Sequence, residues 1–311
     1  MGPIRRLRRL EGAELAGFLG GRPLVGVDGT LNTFGGAFPH YLDLMRAIAK
    51  PSTGEPLVLK TMHCPLPPGD LTDEVVAVQK DHELRQQKLA TLEAQVALEA
   101  ARSLRPAILL MDGPLVRFDM RTKNTFSILQ RDVLDGKIML AGCIENIESR
   151  VIPTMMEEAT PPGWQNRYDR DILWGVLEMG EVLEVRRPVK GLSAIPEDRA
   201  SLAPQGIAAR KTGAAKPGEP EPTPVRTWFM RTATDPGVTG LEMLEAQADQ
   251  MGALADYLYT ITPPDGRGMP LWLDIVDREV RLTDVELSAY LDLLDPQWKR
   301  VFMTKRSARI F

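Results

Sequence analysis

The stretch Val-Gly-Val-Asp-Gly-Thr at residues 25–30 decides the fold class. Its apolar, β-branched residues predict a short buried strand, and the Gly and Thr that follow Asp28 predict a turn at the strand's exit. Four further elements are predicted along the chain: strands at residues 41–49, 56–63 and 107–111, and a long helix at about 72–104. The order of three strands, one helix and another strand predicts an α/β domain with a mixed sheet flanked by helices.

A second acidic residue ends a predicted buried strand in the same way. Asp112 follows an apolar run and is itself followed by Gly-Pro, as Asp28 is followed by Gly-Thr. An Asp at the C-terminal end of a buried strand projects into the crevice where α/β sheets bind their ligands. Each Asp-Gly pair alone is also a common turn dipeptide. The two together favour a shared site over two unrelated turns.

The long helix supplies a third carboxylate. At about 100° per residue, Glu93 falls near the centre of the helix's apolar stripe and is predicted to face the sheet. A buried carboxylate costs several kcal/mol unless a cation or hydrogen-bond donors compensate it. A divalent metal would do so. Two alternatives stay open: Glu93 reaches solvent at the helix edge, or it pairs with an arginine.

The composition indicates which kind of metal such a site would take. With two cysteines and three histidines, the chain supports neither a disulfide scaffold nor a Cys/His zinc site. Asp28, Glu93 and Asp112 would form an all-oxygen site, which suits Mn²⁺ or Mg²⁺. One or two such ions activate water and stabilise the leaving oxygen in phosphodiester hydrolysis. The residues therefore predict nuclease chemistry.

The positive charge of the chain is concentrated at its two ends. The net charge is −4, yet residues 1–9 carry four arginines and residues 298–311 carry five Lys or Arg, with no acid in either segment. These ends are either solvated tails or contacts for DNA phosphates. No apolar run approaches the roughly 20 residues of a membrane span, and the N-terminus lacks the apolar stretch of a signal peptide. We therefore expect a soluble, cytoplasmic protein with no membrane partner.

Several motifs in combination resemble the NurA nucleases. These are the stretch at residues 25–30, the helix that bears Glu93, the apolar strand that ends in Asp112-Gly-Pro-Leu, and Tyr-Asp-Arg-Asp-Ile-Leu at residues 168–173. The resemblance covers most of the chain and implies an RNase H-like fold. It excludes a segment at about 192–224, whose Pro-rich composition predicts a flexible insertion.

The resemblance also implies a domain organisation and a function. It implies a single nuclease domain over residues 21–311, preceded by a basic N-terminal arm at residues 1–20. Its activity would be that of a Mn²⁺- or Mg²⁺-dependent DNA nuclease, a 5′ to 3′ exonuclease and single-strand endonuclease, with Asp28, Glu93 and Asp112 as catalytic metal ligands. The implied partners are DNA, a second copy of the chain in a homodimer, and a HerA-type hexameric ATPase during double-strand-break end resection.

Three positions depart from the family's pattern. Glu145 stands where the family has a Lys, and Met269 and Asp277 stand at the positions of a family Tyr and His, just before a predicted strand at 278–282. A carboxylate can replace imidazole on Mn²⁺, so Asp277 is a candidate fourth metal ligand. It is equally well explained as a surface acid beside Arg278.

Two other functions remain open. The departures from the pattern are also expected of a catalytically weak or inactive DNA-clamp or adaptor subunit in the same complex. A strand followed by Asp-Gly-Thr can also bind nucleotide phosphates, as in actin-like or sugar-kinase-like ATPases. Those folds need a second phosphate-binding turn in another half of similar size, which the sequence does not plainly supply.

Overall fold

The computed structural model describes residues 2–36, 38–65, 74–156, 161–185 and 224–293. Its strands are β1 (Ile4–Arg6), β2 (Leu24–Gly35), β3 (Tyr41–Pro51), β4 (Leu57–His63), β5 (Ile108–Asp112), β6 (Met139–Ile144), β7 (Glu181–Glu184), β8 (Val225–Arg231) and β9 (Thr239–Leu244). They join one sheet in the order β1-β7-β8-β9-β6-β5-β2-β3-β4. Within the described residues, the strands do not divide into the two similar halves that an actin-like or sugar-kinase-like ATPase requires.

The helices lie on both sides of this sheet. They are α1 (Gly12–Gly17), α2 (Glu74–Ser103), α3 (Leu115–Asp135), α4 (Val151–Met156), α5 (Asp169–Leu173), α6 (Met251–Thr260), α7 (Leu271–Val280) and α8 (Asp284–Asp292), with a 3₁₀ helix at Glu245–Gln250. In the described ranges, none of them combines the length and the apolar character that crossing a bilayer requires.

The centre of the sheet has the predicted topology, but the predicted turn after Asp28 is wrong, because β2 continues to Gly35. Strands β2, β3 and β4 form an antiparallel meander, and β5 and β6 then run parallel to β2 on its other side. The long helix α2 joins the meander to β5. This arrangement confirms the predicted RNase H-like mixed sheet flanked by helices.

The two faces of β2 pack against different helices. Val25 and Val27 belong to the apolar core that also contains buried residues of α2 and α3. Gly26 points to the opposite face, where a Cβ would lie 2.7 Å from Val276 of α7. A central strand that is covered on both faces is apolar without clear alternation, which is why this stretch is recognisable in the sequence.

The structure differs from the sequence-based expectation near the C-terminus. The predicted strand at 278–282 is wrong, because α7 continues to Val280. Its buried residues Leu273, Val276 and Val280 are three and four positions apart, which is helical spacing. The helix α8 that follows begins at a capping box: the Thr283 N–H donates to Glu286, and the Glu286 N–H donates to the Thr283 hydroxyl.

The basic N-terminal segment is integrated into the fold. Residues 4–6 form β1, which pairs with β7. Arg5 binds Asp256 at 3.0 Å, Arg6 binds Glu178, and Arg8 binds Glu14. Most of the positive charge at this end is therefore neutralised within the chain. The predicted insertion at 192–224 falls outside the described residues except for residue 224, and the basic segment at 298–311 lies outside them entirely.

Candidate active site

Asp28 and Asp112 lie side by side at the middle of the sheet. Val27 of β2 is in register with Met111 of the parallel strand β5, so the two aspartates occupy the next matching positions. Because side chains alternate along a strand, Asp28 lies on the same face as Gly26, towards α7. On α7, Asp277 directly follows Val276, the residue that contacts Gly26. Two strands and one helix thus bring three predicted site residues to one place.

The carboxyl group of Asp28 carries little compensation. It accepts a hydrogen bond from the neighbouring Gly29 N–H, at 2.7 Å. Burial, and next the negative charge of Asp112, raise the pKa of Asp28 to about 7, and Asp277 contributes in the same direction. Burial also raises the pKa of Asp112, where Arg267 and Arg117 act against it. The carboxyl groups of Asp28 and Asp112 therefore lack enough neighbouring positive charge to compensate them.

Glu93 approaches from the opposite face. It is 2% exposed on α2, which confirms that it faces the sheet. It lies directly over Gly29, where a Cβ would be 2.5 Å from Oε1 and 2.7 Å from Cγ of Glu93. Burial raises the pKa of Glu93 to about 7, against the attraction of Arg117 and with the repulsion of Asp28 and Asp112. Glu93 therefore interacts electrostatically with both aspartates.

The direct partner of Glu93 is Arg117 of α3. Arg117 Nη2 donates to Glu93 Oε2 at 2.5 Å and to the backbone carbonyl of Asp112 at 3.2 Å. Its guanidinium also lies 4.4 Å from the ring centroid of Phe118, and its Nε is buried without a hydrogen-bond partner. The arginine alternative for Glu93 is thus the one observed. Arg117 was not among the residues predicted from the sequence, although it lies only five residues after Asp112.

A second buried acid places Arg117. Pro114 precedes α3 and gives no side-chain cap. Instead Glu242 of β9 accepts a hydrogen bond from the Val116 N–H at 3.4 Å, and burial raises its pKa to about 7. A Cβ on Gly142 of β6 would lie 2.5 Å from the Gly113 carbonyl oxygen. The start of α3 is therefore packed directly on β6 and capped from β9, which fixes the direction of its first turn.

The three departures from the family pattern now have structural contexts. Glu145 accepts a hydrogen bond from Arg267 at 2.6 Å, and Arg267 is the strongest positive influence on Asp112. The positive charge of Arg267 therefore lies beside Glu145, the position at which the family has a Lys. Met269 is 1% exposed and packs in an apolar core. Asp277 accepts from Arg281 at 2.5 Å while acting on the pKa values of Asp28 and Asp112.

The donor set fits a hard divalent cation by its chemistry. Asp28, Glu93 and Asp112 offer carboxylate oxygens at the middle of the sheet, and burial leaves them without enough positive charge. Their present positions are less favourable. Across the described ranges, no three Asp, Glu, His or Cys side chains stand close enough together to hold a metal ion. A metal at this place therefore requires side-chain movement, and Glu93, bound to Arg117, is the candidate ligand on the other face.

Several solved structures are similar to this chain. The NurA nuclease from Sulfolobus solfataricus is 12% identical, with 93% of this chain and 85% of that chain covered and a TM-score of 0.47. Endonuclease V from Bacillus subtilis is also 12% identical, with 93% and 88% covered and a TM-score of 0.38. Endonuclease V from Ciona intestinalis, in complex with an inosine-containing DNA, is 12% identical, with 91% and 92% covered and a TM-score of 0.32.

These structural similarities are too low to carry an argument about function. Among curated proteins, nothing matches the chain. The NurA domain, as a family, matches residues 75–282, which is more than half of the chain and includes α2, β5, α3 and α7. On that match, the resemblance seen in the motifs is confirmed, and the chain belongs to the NurA domain family.

Proposed function

We propose that this chain is a metal-dependent DNA nuclease whose metal ligands are Asp28, Glu93 and Asp112. One observation carries the proposal: three largely buried carboxylates interact where β5 ends beside the central strand β2, and burial raises the pKa values of all three. Buried acids whose pKa values are shifted in this way are concentrated at functional sites. Asp277 is proposed as a weaker fourth ligand, since it faces Asp28 from α7.

Each residue has a distinct part in this proposal. When bound, Mn²⁺ or Mg²⁺ supplies an activated water and stabilises charge on the phosphodiester. Asp28 and Asp112, adjacent on parallel strands, form the rigid part of the site. Glu93 lies on the longest helix and completes it from the other face. Arg267, at the edge of the same cluster, is 37% exposed in its side chain and so is accessible to a DNA phosphate.

Membership of the NurA family supports a more detailed proposal. The activity is that of a 5′ to 3′ exonuclease and single-strand endonuclease in the cytoplasm. The chain acts as a homodimer with a HerA-type hexameric ATPase during double-strand-break end resection. An acidic chain suits this arrangement, because a motor that feeds DNA into the site relieves the nuclease of capturing DNA tightly by itself.

The test is degradation of linear DNA with Mn²⁺ by the wild type, Asp28→Asn and Asp112→Asn. Both substitutions keep the side-chain volume and remove the charge, so we expect at least a hundredfold loss of rate. Asp249→Asn is the matched control, because Asp249 is exposed on the 3₁₀ helix Glu245–Gln250, which contributes none of the proposed ligands. Undiminished activity in both site variants would refute the assignment. Adding the HerA-type ATPase and measuring the molecular mass in solution test the proposed partner and the homodimer.

One observation favours the DNA-clamp alternative. Glu93 is bound to Arg117, and no three potential ligands converge in the part of the chain that the structure describes. A clamp that has kept the fold and lost the chemistry would look like this and would bind DNA without cleaving it under any divalent ion. Binding of Mn²⁺ to the wild type, abolished in Asp28→Asn, separates the two, because a clamp has no need of the ion.

A further inference from the structure

Arg117 is a positive charge inside the carboxylate cluster. It bridges Glu93 on α2 and the carbonyl of Asp112 at the end of β5, at 2.5 and 3.2 Å. Among charged groups, it is the first to act on the pKa of Glu93, and it acts on those of Asp28 and Asp112 as well. Its charge thus falls on the same three carboxylates that a metal ion would bind.

The bridge also occupies one oxygen of Glu93. Glu93 Oε2 accepts a hydrogen bond from the Arg117 guanidinium at 2.5 Å, so this positive charge competes with a metal ion for that oxygen. The other oxygen of Glu93 lies over Gly29. With the bridge in place, no three potential metal ligands converge among the described residues.

Arg117 is also able to leave. Its side chain is 28% exposed, whereas that of Glu93 is 3% exposed, so the guanidinium has a route to solvent. Its Nε is buried without a partner, which makes its present position incompletely satisfied. Arg121 lies one turn further along α3 and repels Arg117. Burial, and next the positive charge of Arg117, lower the pKa of Arg121.

We propose that Arg117 is the internal counter-ion of the metal-free protein and that a divalent metal must displace it from Glu93 in order to bind. Arg117 then stabilises the empty site and competes with the ion for the same carboxylate. This inference rests on the proposed metal site. It makes an unusual prediction: removing a residue beside the ligands strengthens metal binding.

The experiment measures Mn²⁺ binding by calorimetry at pH 8, without DNA, for the wild type and Arg117→Met. A like charge within a few ångströms of a partly buried dication weakens its binding strongly, so we expect Arg117→Met to bind Mn²⁺ at least about tenfold more tightly. In EDTA the same variant should unfold at a lower temperature than the wild type, because Glu93 loses its partner. Mn²⁺ should raise its unfolding temperature more than that of the wild type.

Two controls isolate the effect of the bridge. Arg131→Met removes an exposed arginine from the same helix, where Arg131 pairs with Asp132, and should leave Mn²⁺ affinity unchanged. Arg117→Lys keeps the charge and should bind Mn²⁺ with nearly wild-type affinity. If Arg117→Met does not fold, the crystal structure of the wild type with Ca²⁺ gives the second measurement: the distance from Arg117 Nη2 to Glu93 Oε2 should exceed about 4 Å.

The outcomes separate this inference from the proposed function. Equal or weaker Mn²⁺ binding by Arg117→Met, with binding by the wild type intact, overturns the counter-ion role alone. So does a Ca²⁺-bound structure in which the bridge to Glu93 persists. Lack of Mn²⁺, Mg²⁺ and Ca²⁺ binding by the wild type and by Arg117→Met overturns the metal site itself, and the inference with it.

Discussion

Replacing Gly29 by Ala tests whether the missing side chain at this position makes room for Glu93. The new Cβ would lie 2.5 Å from Oε1 and 2.7 Å from Cγ of Glu93, whereas ordinary contacts are 3.4–4 Å. Glu93 would have to retreat by roughly 1 Å, although Arg117 holds its other oxygen. Overpacking of this kind costs about 1–3 kcal/mol, and we expect the free energy of unfolding to fall by that amount.

The measurement is urea unfolding in EDTA, so that no metal contributes to stability. The decisive comparison is a double-mutant cycle with Glu93→Asp, which shortens the side chain by one methylene and withdraws the carboxylate from position 29. In that background Gly29→Ala should cost at least about 0.5–1 kcal/mol less than in the wild type. The two residues are in contact, so their effects should not add.

A control glycine and a clear contrary result complete this test. Gly252 lies in α6, where the nearest atoms to a Cβ are 3.8 and 3.9 Å away, so Gly252→Ala should be neutral or stabilise by up to about 1 kcal/mol. If Gly29→Ala is as stable as the wild type, or if its effect and that of Glu93→Asp simply add, the close approach of Glu93 to Gly29 is refuted.

Three further predictions concern the start of α3 and the dependence on pH. Glu242→Ala removes the acceptor that caps α3 and should cost about 1–3 kcal/mol in thermal unfolding, with a smaller loss for Glu242→Gln; equal losses would contradict the capping role. Gly142→Ala would place a Cβ 2.5 Å from the Gly113 carbonyl oxygen, so we expect a lower melting temperature, and a neutral effect would argue against that contact. The pKa values of about 7 for Asp28 and Glu93 lie above their unfolded values, so the folded, metal-free protein takes up protons that the unfolded chain does not. The stability that these two groups contribute should be greatest below about pH 4 and should fall as the pH rises through 7. The fall should be smaller in Glu93→Gln, and a rise in stability over this range would contradict the raised pKa values.

The sequence was sufficient to predict the centre of the fold. Residues 24–27 and 107–111 are apolar because both strands are covered on both faces, and such runs stand out in any sequence. Glu93 was placed towards the sheet by angle alone, since one turn of a long helix has a fixed phase. In each case a local pattern was enough, because a regular element repeats the same geometry from residue to residue.

The electrostatics of the site could not be predicted in this way. Arg117 acts because α3 starts directly after the turn at Asp112, and that start depends on Glu242 from a strand more than a hundred residues later. A Glu in an apolar strand does indicate a buried acid, and a buried acid needs hydrogen-bond donors. The assembled sheet determines which donors Glu242 finds. The sequence around Glu242 does not indicate that they come from α3.

Asp277 shows how the same tertiary effect operates from the other face. Its assignment next to a predicted strand was wrong, because the residue lies on α7, yet it acts on Asp28 as a ligand candidate should. The reason is that α7 packs on β2 at Gly26, where any Cβ would come within 2.7 Å of Val276, the neighbour of Asp277. Gly26 and Gly29 lie on opposite faces of one strand: Gly29 makes room for Glu93 of α2, and Gly26 makes room for Val276 of α7, the neighbour of Asp277. The strand therefore assembles the site through its two glycines as much as through its aspartate, and neither contact has any periodicity that a sequence could reveal.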